Sequence, residues 1–131
     1  VIALDSNILV RYFAQDDPKQ SPLAARLIES RTAQEPGWIG IPVLIEFLWV
    51  LASSFKVKQA GIIEVLERLL ASNVFMLEHE DLVRRSLSLY RTGRAQFADC
   101  LIAVSASDAG CTRIVTFDRI AARDARMELL A

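Results

Sequence analysis

The sequence predicts an α/β domain in which helices are layered on a mostly parallel sheet. Three observations carry the prediction. Short apolar runs alternate with longer helical patterns from one end of the chain to the other. The 131 residues are 53% hydrophobic and 24% charged, enough for one substantial core, and 5 Gly with 4 Pro are too few for a disordered or low-complexity chain. No repeat or linker divides the chain, so a single domain is expected over 1–131.

Val1-Ile2-Ala3-Leu4 reads as a buried strand, stopped by Asp5-Ser6-Asn7, which favour turns and helix caps. Ile8-Leu9-Val10 opens a first helix, broken by Asp16-Asp17-Pro18, and Ser21 to Arg31 carries apolar residues at helical spacing. Pro36-Gly37 punctuates the chain before a strand at Trp38-Ile39-Gly40-Ile41. Pro42 suits the opening turn of the next helix, which places Glu46 about one turn inside it. Gln59 to Ala71 reads as a helix, Val74 to Leu77 as a strand and Glu80 to Tyr90 as a helix. Ala95 to Ala109 is helical and ends at Gly110; Arg113 to Phe117 is a β-branched strand ending at Asp118, and Met127 to Leu130 a short edge strand.

Composition excludes several classes. Fifteen basic against sixteen acidic side chains give a net charge of −1, so no global basic field announces a nucleic-acid partner. The most apolar stretch, Trp38 to Ala52, is interrupted by Glu46 and is shorter than the roughly 20 residues of a membrane span. The N-terminal apolar run meets Asp5 without a basic leader or cleavage site, so no signal peptide and a cytoplasmic location are expected. Cys100 and Cys111 lack metal or redox spacing and are expected to be buried, reduced thiols. His79, between strand and helix and flanked by capping acids, is explained by that junction.

Most acids fall in turns or on helix faces, but four do not. Asp5 and Asp118 end strands, Glu46 lies in an otherwise apolar helix, and Asp99 lies in Phe97-Ala98-Asp99-Cys100-Leu101. Each is a charge set among apolar neighbours, which demands a partner. In open parallel sheets ligands bind beyond the C-terminal strand ends, where strand-end acids and acids in early helical turns can converge. Two carboxylates about 4 Å apart repel by roughly 4 kcal/mol at an effective dielectric of 20, so such a cleft wants a cation. Oxygen ligands without His or Cys match Mg²⁺ or Mn²⁺, which makes metal-assisted phosphodiester hydrolysis the leading chemistry. The competing reading makes each acid a cap or an ion pair: Asp5 capping the next helix, Asp118 capping a turn or pairing with Arg119.

At these residues the chain resembles the PIN-domain ribonucleases, and more narrowly the VapC-type toxins of bacterial toxin–antitoxin pairs. The resemblance rests on Leu4-Asp5-Ser6-Asn7, Glu46, Phe97-Ala98-Asp99-Cys100-Leu101-Ile102-Ala103 and Val115-Thr116-Phe117-Asp118-Arg119. It implies a three-layer α/β/α fold with a parallel sheet, and a Mg²⁺- or Mn²⁺-dependent endoribonuclease. It also implies a homodimer, an antitoxin partner and a structured RNA substrate such as tRNA. By position it makes Asp5, Glu46, Asp99 and Asp118 the acidic metal-site residues, with Asn7 and Thr116 as polar supports.

Removing those four acids from the count leaves 15 − 12 = +3, a mildly basic body that suits RNA. Arg11, Arg94 and Arg119 lie near the acids in sequence and are candidate phosphate contacts, each with a plainer role as a solvated or structural Arg. Phe13, Trp49 and Phe55 add apolar surface suited to a dimer or antitoxin interface. A haloacid-dehalogenase-like phosphatase needs a second Asp where this chain has Asn7, and a receiver domain needs a late Lys, whereas none follows Lys58. A non-catalytic binding module of the same fold has no need of all four acids.

Overall fold

The computed structural model describes residues 1–130; Ala131, the end of the expected domain, lies outside the described residues. The chain forms two compact units, Val1–Glu78 and His79–Ala131. All strand pairings are parallel, as the alternation of strands and helices predicts.

The first unit runs β1 (Ile2–Ala3), α1 (Ser6–Ala14), α2 (Gln20–Glu29), β2 (Gly37–Ile39), α3 (Ile41–Ser53), α4 (Gln59–Ala71) and β3 (Phe75–Leu77). Its sheet has the order β1-β2-β3, with Ile2 opposite Gly37 and Trp38 opposite Met76. Gly37, expected to punctuate, is instead part of β2. The first strand is shorter than its apolar run because the chain turns at Asp5 to start α1, yet Leu4 N still donates to Trp38 O at 2.9 Å. Helix α1 ends early, at Gln15 in the left-handed region (φ 51°). Asp17 then accepts from Lys19 N and Gln20 N at 2.9 and 2.7 Å and so starts α2; these backbone bonds hold its carboxyl below the usual range. Leu9, Ile28, Ile39, Leu44, Phe47 and Leu66 fill the core, with α3 packed on α1 and α4.

Phe13 does not join an exposed apolar patch. It packs inward, 5.5 Å from the Phe47 ring, and the Arg68 guanidinium lies 4.9 Å above it. Trp49 and Phe55 are exposed.

The second unit runs α5 (Glu80–Tyr90), α6 (Phe97–Asp108), β4 (Val115–Thr116), α7 (Arg119–Asp124) and β5 (Glu128–Leu129). Helix α5 packs on α6 over buried Val83, Leu87, Cys100 and Leu101. Gly110 takes φ +91° just past α6, a conformation that favours glycine. Strand β4 is shorter than the β-branched run because its pairing ends with β5; Arg113 still grips Glu128 with two 2.8 Å bonds. Helix α7 is not expected from the sequence: six residues are too few for a 3.6-residue apolar period to register. Of the two thiols expected to be buried, only one is. Cys100 is buried and pushed up to about 11 by that burial, whereas Cys111 is exposed, on the loop between α6 and β4.

Candidate active site

The four acids fall as two pairs, Asp5 and Glu46 in the first unit, Asp99 and Asp118 in the second. In the first unit Asp5 follows β1 directly, in extended conformation, and its Oδ1 accepts from Ser6 N at 2.7 Å. It therefore caps α1, as the competing reading held, but the bond engages only Oδ1. Asn7 is exposed in the first turn of α1, where it lines a cavity of about 260 Å³ with Ile8, Arg11, Gln20 and Leu23.

Glu46 is held by the helix that bears it. Leu44, Phe47, Leu48 and Leu51 bury one side of α3, leaving Pro42, Glu46 and Trp49 exposed on the other. The helix begins at Gly40, which has no side chain to cap it; Glu78, just past β3, accepts from Ile41 N at 2.8 Å instead. Because β1, β2 and β3 are parallel, Asp5 and the start of α3 lie at the same, C-terminal edge of the sheet.

In the second unit Asp118 follows β4. Its Oδ1 accepts from Ala121 N at 2.9 Å, capping α7, and its own N–H donates to Thr116 Oγ1 at 3.0 Å. Thr116 thus shapes the turn that presents Asp118. Asp99 lies in the first turn of α6, half-buried, whereas the other three acids are exposed. Burial first, and then the nearby charge of Asp118, raise the Asp99 carboxyl above the usual range against a lowering backbone bond at Gln96. The expectation that all four sit in apolar surroundings holds for Asp99 alone.

The three arginines are placed differently. Arg11 donates to Gln20 Oε1 at 2.8 Å and pairs with Asp16 at 2.9 Å. Arg94 and Arg119 are exposed, one before α6 and the other opening α7. His79 takes φ 51° at the start of α5, in keeping with a junction residue. A cavity of about 480 Å³ in the second unit is lined by Arg85, Ser107, Cys111 and Arg126 but by neither site acid, and Arg85 is already paired with Asp81 and Asp108.

An all-carboxylate donor set suits a hard divalent cation, which would also offset the charge that Asp118 places on Asp99. Among the described residues no group of three or more His, Cys, Asp or Glu side chains is gathered closely enough to hold a metal ion.

One cap and one ion-paired carboxylate lend themselves to measurement. Asp118→Ala is expected to cost about 0.5–2 kcal/mol in denaturant unfolding through loss of the α7 cap, while Asp118→Asn keeps most of that stability. An equal loss in both variants would show that charge, not capping, holds the turn. Asp124 also titrates usefully: its bonds with Arg123 and Arg94 N hold its carboxyl down at about 2. A folded-state value below the unfolded one of roughly 3.9 gives stability that is full above pH ~4 and lost as pH falls toward 2. The denaturant unfolding midpoint of Asp124→Asn should accordingly fall less steeply than that of the wild type as pH is lowered across that window.

A parallel α/β chain with acids just past its strand ends is the architecture of a PIN domain. The PIN domain family matches residues 2–126, and the chain belongs to it. The chain is also similar to a VapC ribonuclease of Aquifex aeolicus (strain VF5), with 27% identity over 116 residues that cover 88% of this chain and 86% of that protein. The resemblance to VapC-type PIN proteins, and the α/β fold it implies, are borne out. Among the described residues no helix is long and apolar enough to cross a membrane.

Glu78 and Asp124 escaped the sequence reading. Both looked like ordinary acids; each accepts a backbone N–H from a residue 37 and 30 positions away respectively, contacts with no local signature.

Proposed function

We propose that this protein is a metal-dependent endoribonuclease, the toxin of a type II toxin–antitoxin pair, acting as a single PIN domain over 1–131. The observation that carries the reading is the placement of two acids in the second unit of a PIN-family chain, Asp118 just past β4 and the half-buried Asp99 in the first turn of α6, with the charge of Asp118 helping to raise the Asp99 carboxyl. The similarity to a VapC ribonuclease supports RNA as the substrate and an antitoxin as the partner.

In this reading Asp5, Asp99 and Asp118 hold Mg²⁺ or Mn²⁺ directly or through water. When bound, the ion supplies polarisation of a phosphoryl oxygen and a lower pKa for the attacking water. Glu46 either joins the ligands or orients that water by accepting its hydrogen bond. Asn7 steadies the Asp5 turn, and Thr116 the Asp118 turn. Arg94 and Arg119 are exposed and able to meet backbone phosphates of a structured RNA such as tRNA; Arg11 contributes only if it exchanges its pairing with Asp16. Exposed Trp49 and Phe55 supply apolar surface for a homodimer or for the antitoxin. The place of action is the cytoplasm.

The test is cleavage of total RNA and of tRNA by the purified protein with Mg²⁺ or Mn²⁺. Cleavage that stops on adding a chelator and returns with excess metal is expected. Folded protein that binds RNA without cutting it would favour a non-catalytic binding module, and cleavage indifferent to chelator would remove the metal from the scheme.

A further inference from the structure

Helix α7 is tied down at both ends. At its start Asp118 caps Ala121 N; at its end Asp124 reaches across to the connection between α5 and α6. The Asp124 side chain is only 14% exposed. Its Oδ2 accepts from the backbone N–H of Arg94 at 2.8 Å, and Arg123 holds both its oxygens, at 2.8 and 2.9 Å. Gly93 makes this approach possible: a Cβ there would lie 2.7 Å from Asp124 Cβ and Cγ. Beyond the tether, Ala95 and Phe97 are both buried, so the short link into α6 has little slack. Asp99 follows in the first turn of α6. A carboxylate clamp thus joins the segment leading to one candidate metal ligand to the helix that begins at another.

We propose that Asp124 is a positioning residue that, through Arg94 N–H and Gly93, sets the separation of Asp99 and Asp118 for a shared divalent cation. The proposal rests on the metal-site reading above. Outer partners that orient metal ligands typically change affinity by about 10–100-fold when removed. Arg123 shares Oδ2 with Arg94 N–H, but it is the residue next to Asp124 in α7, so only the Arg94 bond reaches the connection into α6.

Mn²⁺ titration followed by electron paramagnetic resonance, with amide hydrogen exchange on the same samples, separates the two ideas. Asp124→Ala is expected to weaken Mn²⁺ binding by about tenfold and to speed exchange at the Arg94 amide. Gly93→Ala, which pushes the connection off Asp124 without altering any acid, should produce the same pair of changes. Asp124→Asn, which keeps an acceptor for Arg94 N–H, and Arg123→Ala should both bind Mn²⁺ close to wild type. Asp99→Asn should lose Mn²⁺ binding with the Arg94 amide still protected. Wild-type Mn²⁺ affinity in both Asp124→Ala and Gly93→Ala overturns the positioning role while the metal site stands. A wild-type protein that binds no Mn²⁺ overturns the metal site, and the positioning role with it.

Discussion

Asp99→Asn is expected to lower RNA cleavage on the order of 10³-fold while leaving the protein folded. A bound divalent ion contributes several kcal/mol of transition-state charge stabilisation, and each 1.36 kcal/mol is a factor of ten in rate. Asn keeps the size of the side chain and removes the charge that would hold the cation. The same substitution has an opposite effect on the metal-free protein. Burial and the neighbouring Asp118 both disfavour the charged Asp99, so a neutral group there relieves the unfavourable pair. Thermal unfolding in chelator should therefore occur at or above the wild-type temperature. Adding Mn²⁺ should then raise the wild-type midpoint, by about 2.7 kcal/mol of stability at one hundred times the dissociation constant, and leave the variant unmoved. Undiminished cleavage by a folded Asp99→Asn protein would remove Asp99 from the site.

Phe47→Ala is expected to cost about 3–5 kcal/mol in equilibrium denaturant unfolding, with the dependence on denaturant unchanged. Phe47 is fully buried in α3 and meets the Phe13 ring of α1 at 5.5 Å and 41°, so truncation opens a cavity where those helices pack. Domains of this size have only about 5–15 kcal/mol of stability in all, which makes this one of the most damaging single changes available in the first unit. Two residues further along the same helix, Trp49→Ala should move stability by no more than about 0.5 kcal/mol, because Trp49 is exposed. Equal losses at the two positions would mean that α3 buries a different face. Glu46, the neighbour of Phe47, depends on that face being right.

The elements that were legible to the residue are the long amphipathic helices. Gln59–Ala71 and Glu80–Tyr90 each repeat an apolar stripe over three turns, a signal that survives without tertiary context. Strands were legible in place but not in length. An apolar or β-branched run says where pairing is favourable, while the partner strand decides where it ends, as β4 and β5 show. The Asp5 cap was legible as a helix cap, whereas Asp118, read as capping a turn or pairing with Arg119, caps a helix the sequence did not reveal; each uses a single carboxylate oxygen, so nothing in that duty conflicts with a second one. Phe13 and Cys111 were misplaced, one inward and the other outward, because neither has a local pattern strong enough to say which side of its segment faces the core.

Local order alone therefore determined the α/β alternation, the parallel pairing that such alternation requires, and the identity of four acids out of keeping with their neighbours. Those are matters of short-range stereochemistry and solvation, written into spacing and residue type. Only the tertiary structure decided which of those acids is half-buried, that the charge of Asp118 helps raise the Asp99 carboxyl, and that Glu78 and Asp124 accept the backbone N–H groups of Ile41 and Arg94. Such effects depend on distances between residues remote in sequence. Electrostatic and hydrogen-bond energies fall off with separation in space, which a linear chain leaves open until it has folded.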